Sequence, residues 1–324
     1  MKPARAMEKR RSKAPVLTRL TVFRLIQQDS NCTLSDGAAF YQLVGRWVLT
    51  HLILSDQRYG QRSDFQGGDM ARTWVLLRGL VREQRHWQEF PAQLGQRFPG
   101  DRVVTLDLPG NGSLYRKASP TRIEGMVAAL RSELSDKGLR PPFHVVALSL
   151  GAMTAISWIS DYPGEVAAAA LLNSSVARFS PFWQRLRPGN YRSILMDGLL
   201  TRDLLRKERA ILSMSTNLIS AERREAVAQA WAGYAREQPV SRINALRQLL
   251  AAARFTAPVG LPSAVPVLIM NGGGDRMVNP SCSLAMARGW GLPLRVHPDA
   301  GHDLTLDAGE WAASALYDWV GDSP

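Results

Sequence analysis

The sequence predicts an α/β protein: a mostly parallel, doubly wound sheet carrying an inserted helical cap. Three observations predict it. From Thr73 onward short apolar runs alternate with segments of helical periodicity, the rhythm of βαβ units. The runs are continuously apolar rather than alternating, as strands covered on both faces require. Residues 175–262 interrupt the rhythm with helical periodicity and no convincing strand, and they are too long for a loop.

The elements follow in order. Trp74, Val75, Leu76 and Leu77 form the first buried run, and 103–106 the second, ended by the turn-rich Asp107-Leu108-Pro109-Gly110-Asn111-Gly112. A third strand is expected over 143–148, a fourth over 167–172, a fifth over 267–270 between Pro266 and three glycines, and a sixth over 294–296. Helices are expected over 86–97, 121–137, 150–162, 281–290 and 304–320. In the insertion, Val227, Trp231 and Tyr234 share one helical face, and Ile243, Leu246, Leu250 and Ala253 share another after Pro239. The domain layout is then a core of 70–174 and 263–324, a helical cap of 175–262, and a poorly structured N-terminal extension of 1–69. Met70 stands just before the first clean strand. Gln66-Gly67-Gly68-Asp69 is compatible with a purine-rich, ribosome-binding-like coding run, so a hypothesis is that translation starts at Met70. Terminal mapping that returned peptides from 1–69 would reject it.

The 324-residue chain has 40 Lys+Arg against 28 Asp+Glu, a net charge of +12. Such a charge suggests nucleic acid or an anionic membrane as partner, but its distribution argues otherwise. Residues 1–24 carry +7 and the cap +8, leaving the remainder slightly acidic. No zinc-finger spacing, RNP-like aromatic motif or basic zipper occurs. Nucleic acid is therefore not expected; weak contact of the basic cap with an anionic surface is. The two cysteines, Cys32 and Cys282, are expected as unpaired thiols in a cytoplasmic protein. The early apolar run 40–54 holds Arg46 and His51 and is too short to span a bilayer.

Ala147-Leu148-Ser149-Leu150-Gly151 joins the third strand to a helix. A serine there can cap the helix. It can equally be a nucleophile on a sharp elbow, with small residues two positions to either side and the helix N–H groups aimed at the reacting centre. Asp275 lies in a glycine-rich turn after the fifth strand, and His302 in a loop after the sixth. Each alone reads as an ordinary turn residue. Together, Ser149, Asp275 and His302 occur in the order nucleophile, acid, base, each just past a strand and so at one edge of a parallel sheet.

These motifs resemble the α/β-hydrolase superfamily, in its capped, lipase- and esterase-like branch, over about 73–320. Leu76-Leu77-Arg78-Gly79-Leu80 is similar to its oxyanion loop, and 107–112 to its Asp-x-Pro-Gly-x-Gly turn. The resemblance implies Ser149 as nucleophile, His302 as general base, Asp275 as the acid that orients it, and the backbone N–H groups of Leu80 and Leu150 as the oxyanion hole. It implies hydrolysis of a small-molecule carboxylic ester or thioester through an acyl-enzyme, with no metal or organic cofactor. The alternatives are C–C bond or lactone hydrolysis on the same fold, or a non-catalytic binding protein. Three departures stand out. Arg78 replaces the usual histidine, either to select anionic substrates or to pair with Glu83, Asp107 or another buried carboxylate. Ala147 replaces a glycine, and no hairpin is evident before Trp74. Near the oxyanion loop, His86 and Trp87 read either as pocket residues or as a surface turn over a packed tryptophan. Ser174 and Ser175 end a strand close enough to meet substrate. Phe179, Phe182, Trp183, Trp231 and Tyr234 read as an acyl pocket or as the cap's own core.

Overall fold

A computed structural model describes residues 71–322. The expectations placed on 1–69, Met70 and Cys32 lie outside these residues. Six strands form one sheet: β1 (Thr73–Leu77), β2 (Arg102–Leu106), β3 (Phe143–Leu148), β4 (Val166–Leu172), β5 (Val267–Gly272) and β6 (Leu294–His297). Every adjacent pair is parallel, in the order β2-β1-β3-β4-β5-β6. The order reverses at β1, whose neighbours β2 and β3 lie on opposite sides. Their carboxyl ends align, Leu77 pairing with Leu106 on one side and Ala147 on the other. A crevice opens outside strand ends at such a switch point.

The helices sort by the two-residue period of the strands. Val75, Leu77, Val145, Ala147 and Ile269 point to one face and pack on α2 (Ile123–Asp136), α3 (Leu150–Asp161) and α7 (Ser281–Trp290). Trp74, Leu76, Val146, Leu148 and Met270 point to the other, against α1 (Phe90–Arg97) and α8 (Leu304–Asp322). The helix expected over 86–97 is two pieces. A short 3-10 turn, Gln84–Trp87, precedes α1, and Pro91 sits in the first turn of α1, where its missing N–H is tolerated.

Between β4 and β5 the chain forms short helical turns and then α4 (Leu204–Ser215), α5 (Ala221–Glu237) and α6 (Arg242–Arg254). Asp203, Ser220 and Ser241 cap these three helices through their side chains. Leu212, Val227, Ala228 and Trp231 form a small core between α4 and α5. Helix α6 turns the apolar face read from its sequence outward. Its inward face is Asn244, Gln248 and Ala251, whereas Ile243, Leu246 and Leu250 face out, at 70%, 52% and 39% exposure. The reason is what lies beneath. The Pro109–Ser119 turn offers polar backbone, and Asn244 accepts from the Ser119 N–H and donates to the Lys117 carbonyl. Among the described residues no helix is long and apolar enough to cross a membrane.

Candidate active site

Loops after β1, β3, β5 and β6 leave the carboxyl edge of the sheet and build the site in three parts. The first carries Arg78-Gly79-Leu80-Val81. Val81 has φ 59°, a left-handed conformation that is strained for a β-branched side chain. Its N–H donates to Gln248 Oε1 at 2.9 Å, so a buried residue of the insertion pins this loop. Gln248 Nε2 continues to Asn111 Oδ1 at 2.7 Å and Ser119 Oγ at 3.1 Å. Asp107 organises the neighbouring turn, accepting from the N–H groups of Gln84 and Ser113.

The second loop is the junction of β3 and α3. Ser149 sits there at φ 58°, ψ −112°, partly exposed, with its N–H donating to the Leu172 carbonyl at 2.9 Å. Ser174 Oγ donates to the Ser149 carbonyl at 2.9 Å, so this hydroxyl is tied to the elbow. The bend requires glycine at 151, where a Cβ would press on the carbonyl oxygens of Leu77 and, at 2.7 Å, Arg78. Gly79 is similarly confined, since a Cβ there would stand 3.1 Å from the Ser149 Cβ. This packing sets Leu80 and Leu150 on two backbone segments that meet beside Ser149. As the first residue of α3, Leu150 has an amide without an i−4 carbonyl in its own helix.

The third region joins Asp275, after β5, to His302, after β6. His302 Nδ1 meets Asp275 Oδ2 at 2.8 Å, with both residues buried. Asn173, at the end of β4, donates to the same oxygen at 3.0 Å and to the Gly301 carbonyl. Asp275 Oδ1 accepts from the N–H groups of Met277 and Val278. The carboxylate is therefore fixed by four donors from three segments, with Nδ1 of the imidazole protonated toward it. Burial disfavours the charged imidazole, but the charge and hydrogen bond of Asp275, helped by Asp303, outweigh it and hold His302 above the ordinary histidine range.

Arg78 forms a bidentate pair with Asp303, Nη1 to Oδ1 at 3.0 Å and Nη2 to Oδ2 at 2.6 Å, and lies over the Trp87 ring. Both side chains are buried. Of the two readings of Arg78, the geometry supplies a buried carboxylate partner, which is neither Glu83 nor Asp107. Burial opposes ionisation of Asp303, but the adjacent Arg78 charge and hydrogen bonds more than compensate, keeping its carboxyl below the usual range.

His86 is not on a surface turn. It is buried with Trp87, its ring edge-on to Trp231 of α5 at 4.7 Å. Arg82 Nη1 lies 3.2 Å from His86 Nε2. His86 Nδ1 lies 3.1 Å from both the N–H and the carbonyl oxygen of Glu83. Burial, then the charges of Arg82 and Arg78, push His86 well below the ordinary histidine range. Trp231 and Tyr234 belong to the α4–α5 core, Phe179 packs on Trp290, and Phe182 and Trp183 are exposed. Sequence reasoning missed Asn173, Gln248 and Asp303. The only available signal was their place at a strand end, on a helix and beside His302. Among the described residues, no group of three or more His, Cys, Asp or Glu side chains is arranged to hold a metal ion.

A model of the alpha/beta hydrolase family matches residues 74–315. No curated protein matches the sequence. Solved structures do. A 2-hydroxy-6-oxo-6-phenylhexa-2,4-dienoate hydrolase from Rhodococcus is 20% identical with a TM-score of 0.63, covering 78% of this chain and 92% of that one. A thermophilic esterase from Thermogutta terrifontis is 20% identical with a TM-score of 0.62, covering 78% and 90%. An enol-lactonase from Burkholderia xenovorans is 16% identical with a TM-score of 0.61, covering 82% and 94%. At these identities the likeness is one of fold.

Proposed function

The chain belongs to the alpha/beta hydrolase family, and on that premise we propose that it is a serine hydrolase of carboxylic esters or thioesters. The observation that carries the reading is the buried Asp275–His302 pair at the sheet edge where Ser149 stands on its strained elbow. In this reading His302 Nε2 takes the Ser149 proton as Oγ attacks the acyl carbonyl. Asp275 holds the tautomer and stabilises the imidazolium that forms. The backbone N–H groups of Leu80 and Leu150 receive the developing oxyanion, with the first loop held in place through Val81 and Gln248. His302 then returns the proton to the leaving alcohol or thiol, and water activated by the same nitrogen releases the acid. The helical insertion acts as a cap over this site.

Arg78 contributes indirectly. Its charge is matched by Asp303, so it anchors the residue next to His302 to the first loop instead of offering a free cation to substrate. A panel of p-nitrophenyl esters and acyl thioesters tests the function. Turnover by the wild type and its loss in Ser149→Ala and His302→Ala is expected. Equal turnover by the folded variants would refute the reading.

A further inference from the structure

Helix α6 is inverted with respect to water, burying Asn244 and Gln248 and presenting Ile243, Leu246 and Leu250 outward. It is not isolated. The segment 182–200 runs beside it, joined at one end by Arg185 Nη2 to the Ala252 carbonyl and at the other by Arg242 Nη2 to the Leu200 carbonyl. That segment exposes Phe182, Trp183 and Leu195 at 68%, 53% and 49%. Exposed apolar side chains carried by two joined segments mark an interaction surface.

Charge identifies the occupant. Residues 182–200 and 242–254 contain six arginines and one acid, Asp197, which is already paired with Arg206. A second copy placing the same face here would oppose two strongly positive surfaces. An anionic bilayer offers acceptors for the guanidinium groups at the level where tryptophan sits, and hydrocarbon for the aliphatic residues. We propose that this face docks the protein peripherally on an anionic lipid surface. Ile243, Leu246, Phe182 and Trp183 enter the headgroup–acyl boundary, and the exposed Arg192, Arg242 and Arg254 contact lipid phosphates. The docking is independent of the hydrolytic chemistry.

Sedimentation of the full chain with vesicles tests it, comparing phosphatidylcholine alone with phosphatidylcholine–phosphatidylglycerol. The wild type and Ser149→Ala are expected to pellet equally with the anionic vesicles, weakly with the neutral ones, and less as salt rises. The double variant Ile243→Glu/Leu246→Glu, at exposed positions and checked for fold by circular dichroism, is expected to lose at least about tenfold in partitioning. No pelleting of wild type with anionic vesicles would overturn the proposal, as would equal pelleting with neutral ones. Undiminished pelleting of the double variant would assign binding to another basic segment, such as residues 1–24. A wild-type dimer in light scattering that the double variant lacks would show that a second copy covers the face.

Discussion

Replacing Gln248 with methionine keeps a side chain of similar length in a fully buried position and removes its hydrogen bonding. Gln248 holds Val81 N–H at 2.9 Å, Asn111 Oδ1 at 2.7 Å and Ser119 Oγ at 3.1 Å. Ser119 Oγ retains its bond to the Pro109 carbonyl, so the Val81 N–H and Asn111 Oδ1 suffer most. A buried polar group left without its partner costs about 1–3 kcal/mol, so the pair loses about 2–6 kcal/mol. For a domain of this size each kcal/mol is worth about 2–4 °C, so the midpoint should fall by about 4–24 °C. The effect should extend to reactivity. Val81 is held at φ 59° against strain of about 1–3 kcal/mol, and once released it relaxes and moves Leu80. Complete loss of one oxyanion donor reduces rate by about a hundred- to a thousandfold. A displaced donor should cost about ten- to a hundredfold. Calorimetry gives the first quantity, and the second-order rate of inactivation by a fluorophosphonate gives the second. A midpoint within about a degree of wild type would refute the clamp. A lowered midpoint with an unchanged inactivation rate would refute its role in positioning the loop.

Other outcomes follow from the same geometry. Asp275→Asn should lower kcat by about a thousand- to ten-thousandfold, because the amide no longer fixes the tautomer or stabilises the imidazolium. His302 must be neutral to act as base and its folded pKa is raised. Wild-type rate should therefore climb with pH through a midpoint above about 6.5, and residual activity of Asp275→Asn through a lower one. The sign for stability is opposite: the contribution of His302 is complete below its unfolded pKa and is lost as pH rises through the folded value, which a series of thermal midpoints against pH would show. Gly151→Ala presses a methyl on the Leu77 and Arg78 carbonyls and should destabilise by at least about 1–3 kcal/mol, read by denaturant titration. Asp303→Asn strands the buried Arg78 guanidinium and should cost about 3–5 kcal/mol, with the Asp303→Asn/Arg78→Met double variant recovering part of it in the same assay.

Sequence conveyed some parts of this molecule far better than others. Strands buried on both faces leave continuous apolar runs, as β1, β3, β4 and β5 do, and the edge strands β2 and β6 also contain the runs expected of them. The residues past the strand ends could be placed at one sheet edge because parallel strands present all their carboxyl ends together, and Asp275 does meet His302 there. The partner of Arg78 could not be read, since Asp303 lies 225 positions away and nothing local distinguishes it from a helix-capping aspartate. The apolar face of helix α6 could be read, but not the direction in which it turns. Periodicity locates an apolar face but says nothing of what the helix lies on, and here the underlying turn is polar and takes Asn244 and Gln248. His86 looked like a surface residue because a run of charged neighbours surrounds it; α5, far along the chain, covers it with Trp231.

The central claim is that Ser149 is an activated nucleophile. Treating the folded wild type with a fluorophosphonate and mapping the adduct by peptide mass spectrometry tests it most directly. One phosphonyl group on Ser149, absent from Ser149→Ala and formed far more slowly in His302→Ala, is the predicted result. Folded wild-type protein that remains unmodified, or that carries the adduct on a different residue, would contradict the account.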